Sequence, residues 1–314
     1  MNCKCCKGET KRFGHFQNRN RTVQRYRCLR CGTTFSESQP LEGVRTETER
    51  AIQVVHLLVE GMGIRAISRF TKLDQKTVLN ILASAGQHCA RLLDERIRNV
   101  EVESVQVDEM FTYVGCKQRN NLENDYDKGD QYLFMSIDSK SKLILGHVIG
   151  KRDSGNANYI INDLNERVAG RFQLTTDAFL PYRRAVQYRL GDRVDFAQLM
   201  KIYKSSGDIK GERRYSPPEC IGAKIMVRSG DPDRAKISTS YIERTNLSVR
   251  IFQRRFTRLT TSYSKKVEFL RHSTALFIAH FNFCRVHGTH KQTPAQAARI
   301  TDKAWTIGEL LACK

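Results

Sequence analysis

Three acidic residues mark the ends of apolar segments in a chain that is otherwise strongly basic. Asp108 and Asp177 each end an apolar, strand-like segment, and Glu243 lies near the start of an amphipathic, helix-like segment at 241–250. Two strand-end aspartates and one helix glutamate can together hold two Mg²⁺ ions for phosphoryl chemistry. The sequence therefore predicts a magnesium-dependent active site formed by these three carboxylates.

The charge balance indicates what such a site acts on. The chain has 314 residues, with 53 Lys and Arg against 33 Asp and Glu, for a net charge of +20. No long amphipathic or apolar anchor accompanies this charge, so a nucleic acid is favoured over an anionic membrane as partner. The alternative is a soluble enzyme that is merely basic. The acids and the surplus of cations together predict an enzyme that acts on DNA.

Length and composition place the protein in a broad class. A chain of this size is expected to divide into several domains. No segment approaches the roughly 20 apolar residues of a membrane span, and the first residues lack the apolar core of a signal peptide. We therefore expect a cytoplasmic, nucleoid-associated protein with no membrane partner. In that reducing compartment its 10 cysteines are expected to be metal ligands or buried thiols rather than disulfides.

Two Cys-x-x-Cys pairs near the N-terminus predict a metal site. Each pair can form a tight turn that presents two thiolates, and two such turns complete a tetrahedral Zn²⁺ site. The predicted zinc ligands are Cys3, Cys6, Cys28 and Cys31. Cys5 is an extra thiol that can compete with a neighbour as ligand. The pattern resembles zinc ribbons, small β-hairpins that need the ion to fold.

Residues 47–95 carry a helical pattern of apolar residues. Gly61 and Gly63 interrupt the first helix, a short helix follows at 64–70, and Asp74 can cap a third helix. This order predicts a helix-turn-helix, with an ordinary helical hairpin as the alternative. The first turn of the third helix exposes side chains able to contact base edges and phosphates. These side chains belong to Gln75, Lys76, Thr77 and Asn80.

After Arg98 the pattern changes to strands. Strands are predicted at 102–114, 132–138, 142–149 and 172–176, with a polar loop at 120–130 and a helix at 156–169. Three antiparallel strands, a helix and a parallel strand form the start of a ribonuclease-H-like fold. In this layout Asp108 and Asp177 come from neighbouring strands and can bridge a metal pair roughly 4 Å apart. Glu243 then arrives from a helix packed on the sheet.

Two other acids lie close to the predicted site in the sequence. Glu109 follows Asp108 directly, and the alternation of side chains along a strand predicts that it points to the opposite face. Asp138 lies at the turn of a predicted hairpin, where an aspartate usually has a structural role.

The choice of the third acid depends on the segment 201–236, which is long, polar and contains glycine and proline. Glu212 and Glu219 lie in this segment without a helical pattern around them. Glu243 is preferred because Ile242, Asn246 and Arg250 give it a helix with one polar face.

These motifs together resemble those of bacterial insertion-sequence transposases of the short-element kind, in which a zinc ribbon and a helix-turn-helix precede a DDE catalytic core. The resemblance spans nearly the whole chain. It is carried by the paired Cys-x-x-Cys units, 106–109, 174–177, 241–246 and the C-terminal series at 281–295. It implies that Asp108, Asp177 and Glu243 are the catalytic triad. It also implies assembly as a homodimer or larger synaptic complex on double-stranded DNA of the element's terminal repeats and the target.

The expected organisation is multidomain. We predict a zinc ribbon at 1–40, an all-α helix-turn-helix domain at 41–98, an α/β ribonuclease-H-like catalytic core at 99–285 with an insertion at 201–236, and a C-terminal tail at 286–314. Basic residues that follow the third acid are predicted to contact the DNA backbone. They are Arg244, Arg250, Arg254, Arg255 and Arg258.

The predicted activity is metal-dependent cleavage and strand transfer by a DDE transposase. Two alternatives remain open at this point. One is a catalytically inactive DNA-binding regulator derived from a transposase, which needs no acids. The other is a hydrolytic nuclease of the same fold that never joins strands.

Overall fold

A computed structural model describes most of the chain. The described residues are 3, 5–18, 21–36, 41, 44–203, 220–257 and 260–313. Within these ranges the protein is a mixed α/β structure with a small N-terminal sheet, a group of helices and one large sheet. No helix in the described ranges is both long and apolar enough to cross a membrane.

The N-terminal region is a three-stranded antiparallel sheet. Its strands are β1 (Thr10–Asn18), β2 (Arg21–Cys28) and β3 (Thr34–Ser36), in that order. Few side chains are buried in the described part of this region, Val23 and two cysteines among them. So small an apolar core supplies little stability, and a further cross-link such as a metal ion would stabilise this sheet.

Three helices follow the small sheet. They are α1 (Thr48–Val59), α2 (Ile64–Thr71) and α3 (Gln75–Arg96). The predicted cap is confirmed, since the carboxylate of Asp74 accepts the backbone N–H of Lys76 at 2.8 Å. The helix that follows this cap continues without a break to Arg96, so its last turns belong to the body of the protein rather than to the turn region.

The large sheet has six strands in the order β11-β10-β9-β5-β6-β7. In chain order the remaining strands are β4 (Val100–Glu101), β5 (Ser104–Val114), β6 (Gly129–Asp138), β7 (Ile144–Gly150), β8 (Val168–Ala169), β9 (Phe172–Thr176), β10 (Val194–Tyr203) and β11 (Cys220–Ser229). The β5, β6 and β7 strands form an antiparallel meander. On the other side of β5, β9 and β10 run parallel to it, and β11 returns antiparallel to β10. The short β4 and β8 run parallel and pair with each other in a separate two-stranded sheet.

Six further α-helices lie in the described ranges. They are α4 (Ser154–Arg167), α5 (Pro181–Arg189), α6 (Ser240–Phe252), α7 (Val267–Phe283), α8 (Pro294–Ala297) and α9 (Ile307–Ala312). The predicted succession of three antiparallel strands, a helix and a parallel strand is confirmed. The predicted hairpin between β6 and β7 is also present, and Asp138 shapes its turn by accepting the backbone N–H of Ser141 at 2.8 Å.

Part of the segment predicted as an insertion belongs to the large sheet. The β11 strand takes up 220–229 and pairs along the length of β10. Lysine and glycine interrupt the alternation of apolar and polar residues in this strand, so the sequence pattern does not predict it. Residues 204–219, including Glu212 and Glu219, lie outside the described residues.

The helices α3 and α7 pack at close range. A Cβ atom added to Gly86 of α3 would lie 2.5 Å from Cα of His272 of α7, so only glycine allows this approach. From α7, Asn282 donates to the carbonyl of Ile144 at 2.9 Å and accepts its N–H at 3.0 Å. These two hydrogen bonds give the outer edge of β7 a partner and fix α7 on the sheet.

The C-terminal segment contributes to the same helical layer. The backbone carbonyl of Leu310 in α9 lies 3.0 Å from Nε2 of His88 in α3, and Leu311 is buried. The predicted tail at 286–314 thus contains helices that pack on the body of the protein.

The turn between α1 and α2 lies against the end of α6. Gly61 in this turn has a φ of +80°, and a Cβ atom there would lie 2.9 Å from the carbonyl oxygen of Ile251. Glycine is required here by both its backbone conformation and this contact. The turn between the first two helices of the predicted DNA-binding region is therefore in direct contact with the helix that carries Glu243.

Candidate active site

Three carboxylates meet where β9 ends. Asp108, Glu109 and Asp177 each place one oxygen within 4.8 Å of the others. The last residue of β9, Thr176, pairs with Val107 of β5, so Asp177 lies one residue beyond the strand and beside the two acids of β5. The predicted convergence of Asp108 and Asp177 is confirmed.

The expectation that Glu109 points away from this cluster is wrong. Its side chain is only 3% exposed, and its carboxylate accepts hydrogen bonds from Arg152 Nε at 2.7 Å and from the Tyr182 hydroxyl at 3.0 Å. Because successive side chains of a strand leave opposite faces of the sheet, the Cβ atoms of Asp108 and Glu109 point in different directions. At this position, however, β9 has ended, and the long glutamate side chain reaches the open edge of the sheet. Glu109 thereby becomes a possible metal ligand.

Backbone and amide groups orient the two aspartates. Oδ2 of Asp108 accepts a hydrogen bond from Asn246 Nδ2 of α6 at 2.8 Å. Oδ1 of Asp177 accepts the backbone N–H of Phe179 at 3.0 Å. Each aspartate thus has one oxygen held by a neutral donor and a second oxygen that can face a cation.

Glu243 lies in the first turn of α6, one helical turn before Asn246. Its carboxylate forms an ion pair with Lys201 of β10 and accepts the hydroxyl of Thr239 at 2.6 Å. It is outside the group of three close carboxylates, although its charge helps to raise the pKa of Asp108. Its role as the third metal-binding acid remains a prediction.

The carboxylates of the cluster resist ionisation. Burial raises the pKa of Asp108 to about 7, with repulsion from Asp177 adding to the shift. Burial also raises the pKa of Glu109 to about 7, in spite of the nearby Arg152. A divalent cation stabilises such groups as anions, and a donor set made only of oxygens suits Mg²⁺. The residues present therefore fit the predicted magnesium site.

A cavity of about 340 Å³ lies over the acids. Besides the three carboxylates, its lining includes Asn246 and two cationic side chains, Arg152 and Arg250. The cavity thus places positive charge beside the acids, as an enzyme that binds a phosphate there requires.

The basic residues predicted to contact DNA have different environments. Arg244 and Arg254 are exposed, and Arg250 lines the cavity over the acids. Arg255 donates to the hydroxyl of Ser264 at 3.0 Å, and burial lowers its pKa to about 10. This environment suits a structural role better than a phosphate contact. Arg258 lies outside the described residues.

The first turn of α3 is open to solvent. Gln75, Lys76 and Asn80 are exposed, and Thr77 is half-buried. A groove of about 640 Å³ runs beside Thr77 and Asn80 and is also lined by Arg50. The side chains predicted to read bases are therefore accessible from outside.

The four predicted zinc ligands are close together. Their sulfur atoms all lie within 4.8 Å of one another, with 3.6 Å between Cys3 and Cys31 and 3.5 Å between Cys6 and Cys28. Tetrahedral Zn²⁺ with bonds of about 2.3 Å places its sulfurs about 3.8 Å apart. Cys5 is exposed and outside the cluster. The thiols therefore fit a structural Zn²⁺ site.

Several residues at the site had not been predicted from the sequence. Arg152, Tyr182 and Lys201 come from three separate segments, and nothing in their local sequence marks them as partners of the acids. Asn246 did carry a signal, because a residue three positions after Glu243 lies on the same face of a helix.

Zinc is expected to hold the N-terminal sheet together. Purified protein should contain about one Zn²⁺ per chain by elemental analysis, and Cys28→Ser should lose it, because three thiolates bind the ion far more weakly than four. Cys5→Ser is the matched control and should keep the metal. Protein purified without chelator that contains no zinc would contradict the assignment.

The acids are expected to make stability depend on pH. A carboxyl group whose pKa is higher in the folded state stabilises the fold at low pH, and this contribution is lost as pH rises through about 7. In Mg²⁺-free buffer the unfolding temperature should thus fall between pH 5 and pH 8, and Asp108→Asn should raise it at pH 8 by roughly 3 °C or more.

Mg²⁺ should counteract this loss, because it binds the ionised carboxylates. The rise in unfolding temperature on adding Mg²⁺ should be larger at pH 8 than at pH 5 and small in Asp108→Asn. Equal Mg²⁺ effects in the wild type and the variant would contradict a cation site at Asp108.

Comparison with known proteins gives little further information. No family model matches the chain, and no curated protein matches it. Among solved structures, a cryo-EM structure of a piggyBac transposase synaptic complex with hairpin DNA is similar over 84% of this chain and 73% of that chain, with 12% sequence identity and a TM-score of 0.35. A similarity at this level supports no conclusion about this chain's fold or activity.

Proposed function

We propose that this protein is a DDE transposase, a metal-dependent enzyme that cuts DNA at the ends of a mobile element and joins them to a target. The observation that carries the proposal is the meeting of Asp108 from β5 with Asp177 from the end of β9, beside the helix that bears Glu243. The strand order and directions of the large sheet support a ribonuclease-H-like catalytic core.

In the proposed enzyme, Asp108, Asp177 and Glu243 hold two Mg²⁺ ions, with Glu109 as a fourth candidate ligand. When bound, such ions activate water or a 3′-hydroxyl and neutralise charge on the leaving oxygen. Asn246 keeps the carboxylate of Asp108 oriented, which preserves the site before DNA arrives. Glu243 joins the other acids when its ion pair with Lys201 opens.

The proposed substrate is double-stranded DNA. The net charge of +20 attracts a polyanion and makes binding depend on salt. The exposed first turn of α3 supplies base contacts, and the exposed Arg244 and Arg254 supply phosphate contacts. Because two element ends must be brought together before joining, we further propose that the enzyme works as a homodimer or larger synaptic complex, associated with the nucleoid.

Removal of the acids should abolish cutting and leave DNA binding intact. Asp108→Asn, Asp177→Asn and Glu243→Gln keep side-chain size but remove the charge that holds the metal ions. Each should slow cleavage of DNA that carries the terminal repeats by on the order of 10³-fold. The measurement is gel analysis of cleaved and strand-transferred products with Mg²⁺.

The control for this series is Glu103→Gln, because Glu103 is an exposed acid paired with Lys140 and lies outside the cluster. Glu109→Gln should also lower the rate, since Glu109 belongs to the cluster. If Glu109→Gln is inactive while Glu243→Gln cleaves normally, Glu109 is the third acid. Normal cleavage by all the acid variants would exclude these acids as the catalytic site, whereas a folded wild type that binds the terminal repeats and cuts no DNA would favour the DNA-binding regulator.

Recognition of the element ends should depend on α3. Lys76→Ala and Asn80→Ala should weaken binding to the terminal repeats by roughly 1–3 kcal/mol for a lost base contact. Binding to unrelated DNA should change less, because phosphate contacts made elsewhere remain. Fluorescence anisotropy at a fixed salt concentration measures both, and an equal loss on the two DNAs would exclude a base-reading role for α3.

A further inference from the structure

Arg152 bridges two acids of the cluster. Its Nε donates to Oε1 of Glu109 at 2.7 Å, and its Nη2 lies 3.5 Å from Oδ2 of Asp177. The guanidinium group also lies 4.1 Å from the centre of the Phe179 ring. The side chain thus faces the carboxylate oxygens that a metal ion would need.

The backbone of Arg152 is fixed, while its side chain has room to move. The next residue, Asp153, caps α4 by accepting the backbone N–H of Asn156 at 2.9 Å. The side chain of Arg152 is 41% exposed, whereas that of Glu109 is 3% exposed. Arg152 can therefore leave the buried carboxylate and turn toward solvent without disturbing the fold.

The charges at this position permit one cationic partner at a time. Glu109 and Asp177 lie close enough for one ion to bind both. A guanidinium group at the same oxygens occupies their lone pairs and repels a divalent cation. Binding of the cation and contact with Arg152 therefore oppose each other.

A released guanidinium group has a suitable partner in the same cavity. Arg152, Arg250 and the acids line one space, and the planar guanidinium group binds phosphate oxygens through two parallel N–H donors. A phosphate placed over the acids would lie within reach of this group.

We propose that Arg152 is a positioning residue that neutralises Glu109 and Asp177 while no divalent cation is bound, and that cation binding transfers it to a DNA phosphate. The first half of the proposal concerns the acids alone, and the second half rests on the proposed function. Arg152 thus couples occupancy of the metal site to capture of the substrate.

The first test measures cation affinity in the full-length protein. Titration calorimetry with Ca²⁺, used as a cation that supports binding without turnover, is done on wild type, Arg152→Gln and Arg152→Lys. Arg152→Gln should bind Ca²⁺ about tenfold more tightly, because the competing charge is gone. Arg152→Lys keeps the charge and should stay near wild type. Arg171→Gln is the matched control, since Arg171 is paired with Asp195 away from the cluster.

The second test measures cleavage at saturating Mg²⁺. Arg152→Gln should cut DNA more slowly despite its tighter cation binding, and Arg152→Lys should recover part of the rate. A purely structural residue would lower both affinity and rate. Circular dichroism melting shows whether each variant is folded.

Two outcomes would overturn the inference. One is an unchanged or weaker Ca²⁺ affinity in a folded Arg152→Gln variant, and the other is wild-type protein that binds no Ca²⁺. Wild type that binds Ca²⁺ but cuts no DNA would count against the proposed function instead. In that case the affinity comparison still decides whether Arg152 competes with the cation.

Discussion

Asp108, Glu109 and Asp177 repel one another in a place that is largely shielded from water. Burial raises the pKa of all three groups, and repulsion from neighbouring acids adds to the shift for Asp108 and Glu109. Negative charge kept together in this way needs a positive counterpart, and Arg152 supplies part of it. Burial of the acids costs stability, which is typical of a site selected for binding a cation rather than for folding.

The rest of the large sheet serves to hold these acids in place. The cluster forms because β9 ends beside the middle of β5. The residues of β5 that follow Val107 still pair with β6 but no longer pair with β9, and the acids lie at this gap. On one side α6 approaches Asp108 through Asn246, and on the other α5 approaches Glu109 through Tyr182. Two helices on different faces of the sheet thereby support a single group of charges.

The sequence predicts β5, β6, β7 and β9, the Asp74 cap and the proximity of the four cysteines, because each depends on local patterns. Apolar alternation, a capping residue and Cys-x-x-Cys spacing all act within a few residues. Glu109 was expected to lie away from the cluster, but the place that its carboxylate reaches depends on where another strand ends, which is a property of the whole sheet. The contacts of Arg152 and Lys201 are likewise set by the tertiary fold. The strands β10 and β11 were not predicted, and in β11 the alternation is broken by lysine and glycine.

The continuity of α3 has a geometric consequence. This helix has 22 residues and so extends about 33 Å, with its first turn exposed and its middle packed against α7 at Gly86. Such a distance corresponds to roughly ten base pairs of B-form DNA, or about one turn of the double helix. In the proposed transposase, a rigid helix anchored in this way would hold the base-reading turn at a fixed distance from the acids. If α3 reads bases as proposed, that fixed distance would determine how far from those bases the DNA is cut.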